Sequence, residues 1–416
     1  MVGRLGAHEL AVVSAGHLYG FAILMLGLGF MRGLDPIFAQ THGAGDRAAG
    51  AAALGRALLL AVLLSIPLTA AMLVSAPVLA ALGQPGEILP DVARYCEVVA
   101  LGTLPAMLLA AVAQFLQGLG EMRIPMVTVI VANVVNIALD AVAVFGLELG
   151  PLSVPQLGAV GCGWATTGSR VVWLVALVWL ASDVLRPYRP PALSTLLAGR
   201  PLLRLVGLGV PVGLQTGLET WAFAAIGLLM GALGSAELAA HAIAINIVSL
   251  TFMVPFGIGS AAATRVGNLV GAGHPWQRAG WLAVGVGVAW MTLTSTALVF
   301  APGPLARLYT PDAAVVGVAV VILPIAGAFQ LFDGVQAVSF GVLRGAGDVR
   351  VPALANVVGY WVVGLPLAWW TGVHQAQDAA RVWSALAVAL VIVAALLLAR
   401  LSWVGRRGAV VVSGEA

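Results

Sequence analysis

Apolar runs of about twenty residues recur along the whole chain, separated by short polar or Pro/Gly breaks. That length is what a helix needs to cross a bilayer core. The pattern predicts eleven spans: 10–40, 52–77, 93–116, 126–147, 157–181, 202–231, 238–271, 280–301, 314–343, 353–372 and 381–404. Breaks such as Gln84-Pro85-Gly86 and Pro302-Gly303-Pro304 interrupt the helical pattern where a proline removes a backbone donor. The longest polar stretch, 182–201, carries Asp183, Arg186, Arg189 and Arg200 together with the prolines from Pro187 to Pro191. The expected fold class is therefore an all-α polytopic membrane protein. It has a first lobe over 1–186 with five spans, a linker over 187–201 and a second lobe over 202–416 with six spans.

The two halves repeat. Leu5-Gly6-Ala7-His8-Glu9-Leu10-Ala11 returns as Leu233-Gly234-Ser235-Ala236-Glu237-Leu238-Ala239, and Gly43-Ala44-Gly45 as Gly271-Ala272-Gly273, both at an offset of 228. Gln117 to Pro125 returns as Arg344 to Pro352 at an offset of 227. A parallel repeat requires an even number of helices per half, so that both halves share one orientation. The unmatched span is 202–231, whose counterpart would precede Leu5-Gly6. The repeat leads us to expect a twelfth helix outside these residues, lost to an internal start or a truncation.

Composition narrows the class. The chain is 61% hydrophobic and 9% charged, against roughly 25% charged in soluble domains. Two cysteines in 416 residues exclude a disulfide scaffold. A net charge of +3 without a dense basic patch gives no reason to expect a nucleic-acid partner. With the linker placed in the cytoplasm, fourteen arginines flank that side and four the other, with Arg32 and Arg170 inside spans. The positive-inside rule then puts the C-terminus in the cytoplasm of a bacterial inner (plasma) membrane.

Ionisable groups at bilayer depth are costly and mark functional candidates. Glu219 lies mid-span with Gln215 four residues back on the same helical face. It can exchange a proton or give a hard oxygen ligand to Na⁺. Asp333 lies mid-span after Phe329-Gln330-Leu331-Phe332, so the second lobe can hold both acids. Asn133, Asn136 and Asp140 share one face in the first lobe. For each of these, a purely structural interhelical hydrogen bond is the alternative. Trp221 beside Glu219, and Phe329 one turn before Asp333, could line a cavity for flat cations, with ordinary packing as the competing reading. Asp35 follows Arg32 at a spacing that allows a local ion pair, and Glu97 sits near a span start where it reaches the interface. The six histidines have no ligand spacing, and no phosphate-binding loop or dinucleotide fingerprint appears. No metal, no cofactor and no enzymatic activity are expected.

These residues carry a resemblance. Gln40 with Gly43-Ala44-Gly45-Asp46, Asn136 to Asp140 with Phe145-Gly146, and Gly209-Val210-Pro211 through Glu219 match one family in order. So do His241 to Asn246, Pro255 to Gly273, and Phe332-Asp333-Gly334 through Asp348. The chain resembles the multidrug and toxic compound extrusion (MATE) family, in its NorM-like branch. The resemblance implies twelve helices in two six-helix lobes around a central cavity, and export of organic cations in exchange for H⁺ or Na⁺ by alternating access. It implies coupling-ion roles for Glu219 and Asp333, with Asn136, Asp140 and Thr166 as first-lobe counterparts. Gln215, Trp221, Phe329, Gln330 and Asn246 become cavity or substrate candidates. The implied partners are small cationic molecules and the lipid bilayer, with the chain acting as a monomer. Phe329 stands where the family often has Tyr, and the family's first helix, which commonly bears an acid, has no counterpart here. A lipid or polyprenyl-linked-sugar flippase would call for several cavity arginines, and only Arg32 and Arg170 qualify. A non-transporting truncated relative is the remaining alternative.

Overall fold

The computed structural model describes residues 2–149 and 152–412. Among these, ten helices are long and apolar enough to cross a membrane, and a bent pair supplies an eleventh crossing. Each predicted span falls on one of them. Large apolar side chains point outward, among them Trp179, Leu228 and Phe300, the last 83% exposed. Such a surface is stable only against lipid. Strands among the described residues are confined to one hairpin, Leu147–Leu149 against Leu152–Val154.

Two compact units divide the chain. One comprises residues up to 34 with 46–213; the other comprises 35–45 with 214–412.

In the first unit, the helices Ala7–Arg32, Arg47–Leu73, Arg123–Phe145 and Gly158–Leu180 surround the bent pair Leu89–Leu101 and Thr103–Gly118. The pair bends by 40° at Gly102. Pro105 has no N–H to give the Leu101 carbonyl, so the helix breaks there. Gly16 lies under the Tyr95 ring, where an added Cβ would stand 2.4 Å from Cδ1. Glu9 Oε2 accepts the Ala159 N–H at 2.6 Å, a carboxylate set at the positive end of the helix Gly158–Leu180.

In the second unit, the short helix Asp35–Gly43 packs on the end of the helix Ser235–Gly271. A Cβ on Gly43 would lie 2.1 Å from the Asn268 carbonyl oxygen, and one on Gly271 2.0 Å from that of Gln40. Asn268 and Gln40 are themselves 228 residues apart, so the sequence repeat makes the contact reciprocal. Gly341 passes equally close to the Gly259 carbonyl, bringing the helices Ser235–Gly271 and Ala313–Gly345 together through small residues. The repeat also appears in the turns. Gly45 and Gly273 both have φ 70°, while Gly120 and Gly347 have 81° and 83°. Each of the latter ends a helix in the left-handed conformation that closes the final carbonyls, with Glu121 N–H on Leu116 and Asp348 N–H on Leu343, both at 2.9 Å. Asp35 pairs with Arg344 at 3.2 Å, both side chains buried. Gln40 Nε2 donates to the Val410 carbonyl at 3.2 Å, and its Oε1 accepts the Val412 N–H at 2.6 Å, pinning the C-terminal segment.

The span Arg350–Ala376 winds as a π-helix over Val358–Gly364 and again over Ala368–Ala376, on either side of Pro366. Widened turns of this kind re-aim side chains and recur at functional sites.

Candidate functional site

Side chains from three helices of the second unit meet at one carboxylate. Glu219 comes from the helix Gly199–Leu233, half-buried. Gln215, one turn earlier, donates Nε2 to its Oε2 at 3.5 Å. Gln336 of the helix Ala313–Gly345 donates to Oε1 at 3.4 Å. Asn356, at the end of the helix Arg350–Val357, donates to Oε2 at 3.2 Å. The Tyr360 hydroxyl, from the π-wound stretch, donates to Gln336 Oε1 at 3.3 Å and so fixes which way that amide faces. Asp333, one turn before Gln336, is 4% exposed and lies within electrostatic reach of Glu219.

Three amides thus hold one carboxylate. Two of them leave an oxygen behind: Gln215 Oε1 and Asn356 Oδ1 are buried without a hydrogen-bond partner. Buried polar atoms are normally satisfied, so each orphan acceptor calls for a donor, whether a water, a protonated group or a cation. Carboxylates and amide oxygens are ligands of the kind a hard cation takes. The same carboxylates can alternatively take up protons.

Around this cluster, the other second-lobe candidates separate. Phe329 is fully buried, edge-on to Phe223 and Trp383 with centroids 6.2 and 5.8 Å away. Gln330 is also fully buried; its Oε1 accepts the Thr251 and Thr294 hydroxyls, and its Nε2 has no partner. Thr251 sits four residues before Pro255, whose missing N–H frees the Thr251 carbonyl; Trp290 Nε1 donates to that carbonyl at 3.0 Å. Asn246 is exposed and accepts the Tyr309 hydroxyl at 2.8 Å. Trp221 is 38% exposed.

The first unit has a cavity of about 310 Å³. Asn136 and Thr166 line it, with His17, Tyr95, Asn133 and Arg170. Asn136 Nδ2 donates to the Ser169 hydroxyl at 3.3 Å. Asp140 stands apart from the lining, its Oδ1 buried without a hydrogen-bond partner.

Gln336, Asn356, Tyr360 and Ser169 were not singled out in the sequence. A signal existed for two of them: Asn356 and Tyr360 are an i, i+4 polar pair in an apolar span.

The MatE family model matches residues 1–142 and 211–370. The multidrug resistance protein NorM of Burkholderia vietnamiensis is 35% identical over 411 residues, covering 95% of this chain and 87% of that protein. The multidrug resistance protein PmpM of Pseudomonas aeruginosa is 31% identical over 427 residues, covering 98% and 86%. Among solved structures, the eukaryotic MATE transporter AtDTX14 superposes with a TM-score of 0.87 at 20% identity, over 98% of this chain and 91% of that one. An outward-facing MATE transporter of the MOP superfamily gives 0.84 at 20% identity, over 97% and 90%.

Proposed function

The chain belongs to the MatE family of multidrug and toxic compound extrusion transporters, and on that premise we propose that it expels organic cations across a bacterial inner membrane in exchange for H⁺ or Na⁺. The observation that carries this reading is the Glu219 cluster. A carboxylate held by Gln215, Gln336 and Asn356, with two orphaned amide oxygens and Asp333 close by, is built to gain and lose a small cation.

Coupling follows from linkage. A proton or Na⁺ on Glu219 and Asp333 and a drug elsewhere in the protein drive exchange only if they favour different conformations. Alternating access supplies those two states. Gly and Pro within the spans, such as Pro211 and Pro255, give the helices places to bend.

The test is ethidium efflux in everted vesicles, with a proton gradient and a Na⁺ gradient imposed separately. One of them drives efflux in the parent protein, and Glu219→Gln abolishes it. Undiminished transport by Glu219→Gln overturns the reading.

A further inference from the structure

The last helix, Ala379–Arg407, ends in a ladder of arginine and tryptophan. The Trp403 ring is 42% exposed and carries two guanidiniums. The Arg400 Cζ lies 4.2 Å from the ring centroid and the Arg407 Cζ 4.6 Å. One comes from the turn before the indole and the other from the turn after it, so the ring orders two cations along the helix. Asp348, buried just past the turn at Gly347, fixes the first of them: Arg400 Nε donates to its Oδ2 at 2.5 Å. None of the ion pairs among the described residues includes Arg406 or Arg407. The helix Gln277–Phe300 starts at the same end, with Gln277 Nε2 donating to the Gly405 carbonyl at 3.1 Å.

Membrane topology asks for an excess of arginine on one face. It does not ask for two guanidiniums to be ordered on one indole. Ordering long side chains costs rotamer freedom, and here Trp403 and Asp348 have already arranged them. A guanidinium held by its face keeps N–H donors at its edge for an anion. Toward the bilayer centre, the same face of the helix continues through Ala399, Leu396 and Val388, all exposed. Trp281, one turn into the neighbouring helix, is exposed as well. The ladder thus places cations where a helix leaves the bilayer, with apolar surface directly beneath them.

We propose that the Arg400–Trp403–Arg407 ladder holds the headgroup of an anionic phospholipid. Its phosphodiester sits on the two guanidiniums, and an acyl chain runs along the outward face of the last helix. One phosphate is enough, because Asp348 already offsets one of the two positive charges. A headgroup of net negative charge, such as phosphatidylglycerol, fits; phosphatidylcholine would bring its own ammonium among the arginines. The inference needs the membrane-spanning fold and not the transport reading.

The experiment uses the full chain, delipidated in a neutral detergent. Native mass spectrometry measures its affinity for phosphatidylglycerol and for phosphatidylcholine with the same acyl chains. The parent protein is expected to bind a first phosphatidylglycerol at least about 5-fold more tightly, the scale of one arginine at a membrane surface. Arg407→Gln removes most of that preference and leaves phosphatidylcholine binding unchanged. Trp403→Leu, which takes away the ring under both guanidiniums, weakens it as well. Arg123→Gln, at an exposed arginine of the first unit, leaves it intact. With phosphatidylglycerol brominated on its acyl chains, the fraction of tryptophan fluorescence quenched at saturation falls in Trp403→Phe, whose ring still supports the arginines. Melting temperatures at the parent value report that the variants are folded. Equal affinity of the parent protein for the two lipids, or full preference in folded Arg407→Gln, overturns the proposal. An equal loss in Arg123→Gln overturns it by showing diffuse attraction in place of a site. A quenched fraction no smaller in Trp403→Phe overturns it by putting the lipid elsewhere.

Discussion

Asn356 donates its amide to Glu219 Oε2 at 3.2 Å, from a position 137 residues further along the chain. That bond joins the second lobe's first helix to the start of its π-wound span. Replacing Asn356 with Leu removes the shortest of the three amide hydrogen bonds to this carboxylate. A lost hydrogen bond to a charged group costs about 1.5–3 kcal/mol. The expected result is a fall in ethidium efflux of at least about 10-fold in Asn356→Leu vesicles, with protein levels unchanged. Parent-level efflux would show that Asn356 does not position Glu219.

How much of this cluster could be read from sequence follows from how unusual each residue is in an apolar span. Glu219 and Asp333 stand out because a carboxylate has few reasons to be at bilayer depth. Gln336, Asn356 and Tyr360 do not, because amides and phenols join membrane helices routinely. Their convergence depends on pairings over more than a hundred residues and on a π-helical winding that no local pattern announces. The same limit applies to Asp35. The local spacing offered Arg32; the buried pair that Asp35 makes with Arg344, some three hundred residues distant, has no local signal. The spans were legible because apolar length is a one-dimensional property. The 40° bend at Gly102 had a local cause in Pro105, but the room that the glycine leaves for the Arg170 side chain is visible only in three dimensions.

The Asp35–Arg344 pair gives a stability prediction. Both side chains are buried, at 3.2 Å. Removing one partner strands the other charge, at a cost of about 3–5 kcal/mol. Asp35→Leu should therefore lower the melting temperature of the purified protein by several degrees. The double substitution Asp35→Leu with Arg344→Met should recover much of the loss, since an apolar pair of similar volume carries no desolvation penalty. A double variant as unstable as the single one would mean that the pair's geometry, and not its charge balance, matters.

The reciprocal crossing of Gly43 and Gly271 predicts a symmetric sensitivity. A Cβ at either position meets a backbone carbonyl near 2 Å, and a backbone atom cannot swing aside as a side chain can. Overpacking of this kind costs about 1–3 kcal/mol. Gly43→Ala and Gly271→Ala should each lower the melting temperature by a similar amount. Gly285→Ala, where an added Cβ meets nothing within 4 Å, should not. A tolerant Gly271 beside a sensitive Gly43 would contradict the reciprocity.

A fully buried side chain, Gln40, grips the C-terminal segment. Gln40 donates to the carbonyls of Gly345 and Val410 and accepts from Val412 N–H. Beside it, the Val410 N–H bonds the Ala346 carbonyl at 2.9 Å. An amide is needed because the site presents both donors and acceptors; a carboxylate would face two carbonyl oxygens with no proton to offer. Gln40→Leu and Gln40→Glu should both release residues from Gly408 onward. Limited proteolysis in nanodiscs, followed by mass spectrometry, should show faster cleavage there in both variants. The helix Ala379–Arg407 should remain intact, because its packing does not depend on Gln40. Cleavage at the parent rate in Gln40→Glu would mean that the backbone bond to Ala346 is enough to hold the segment.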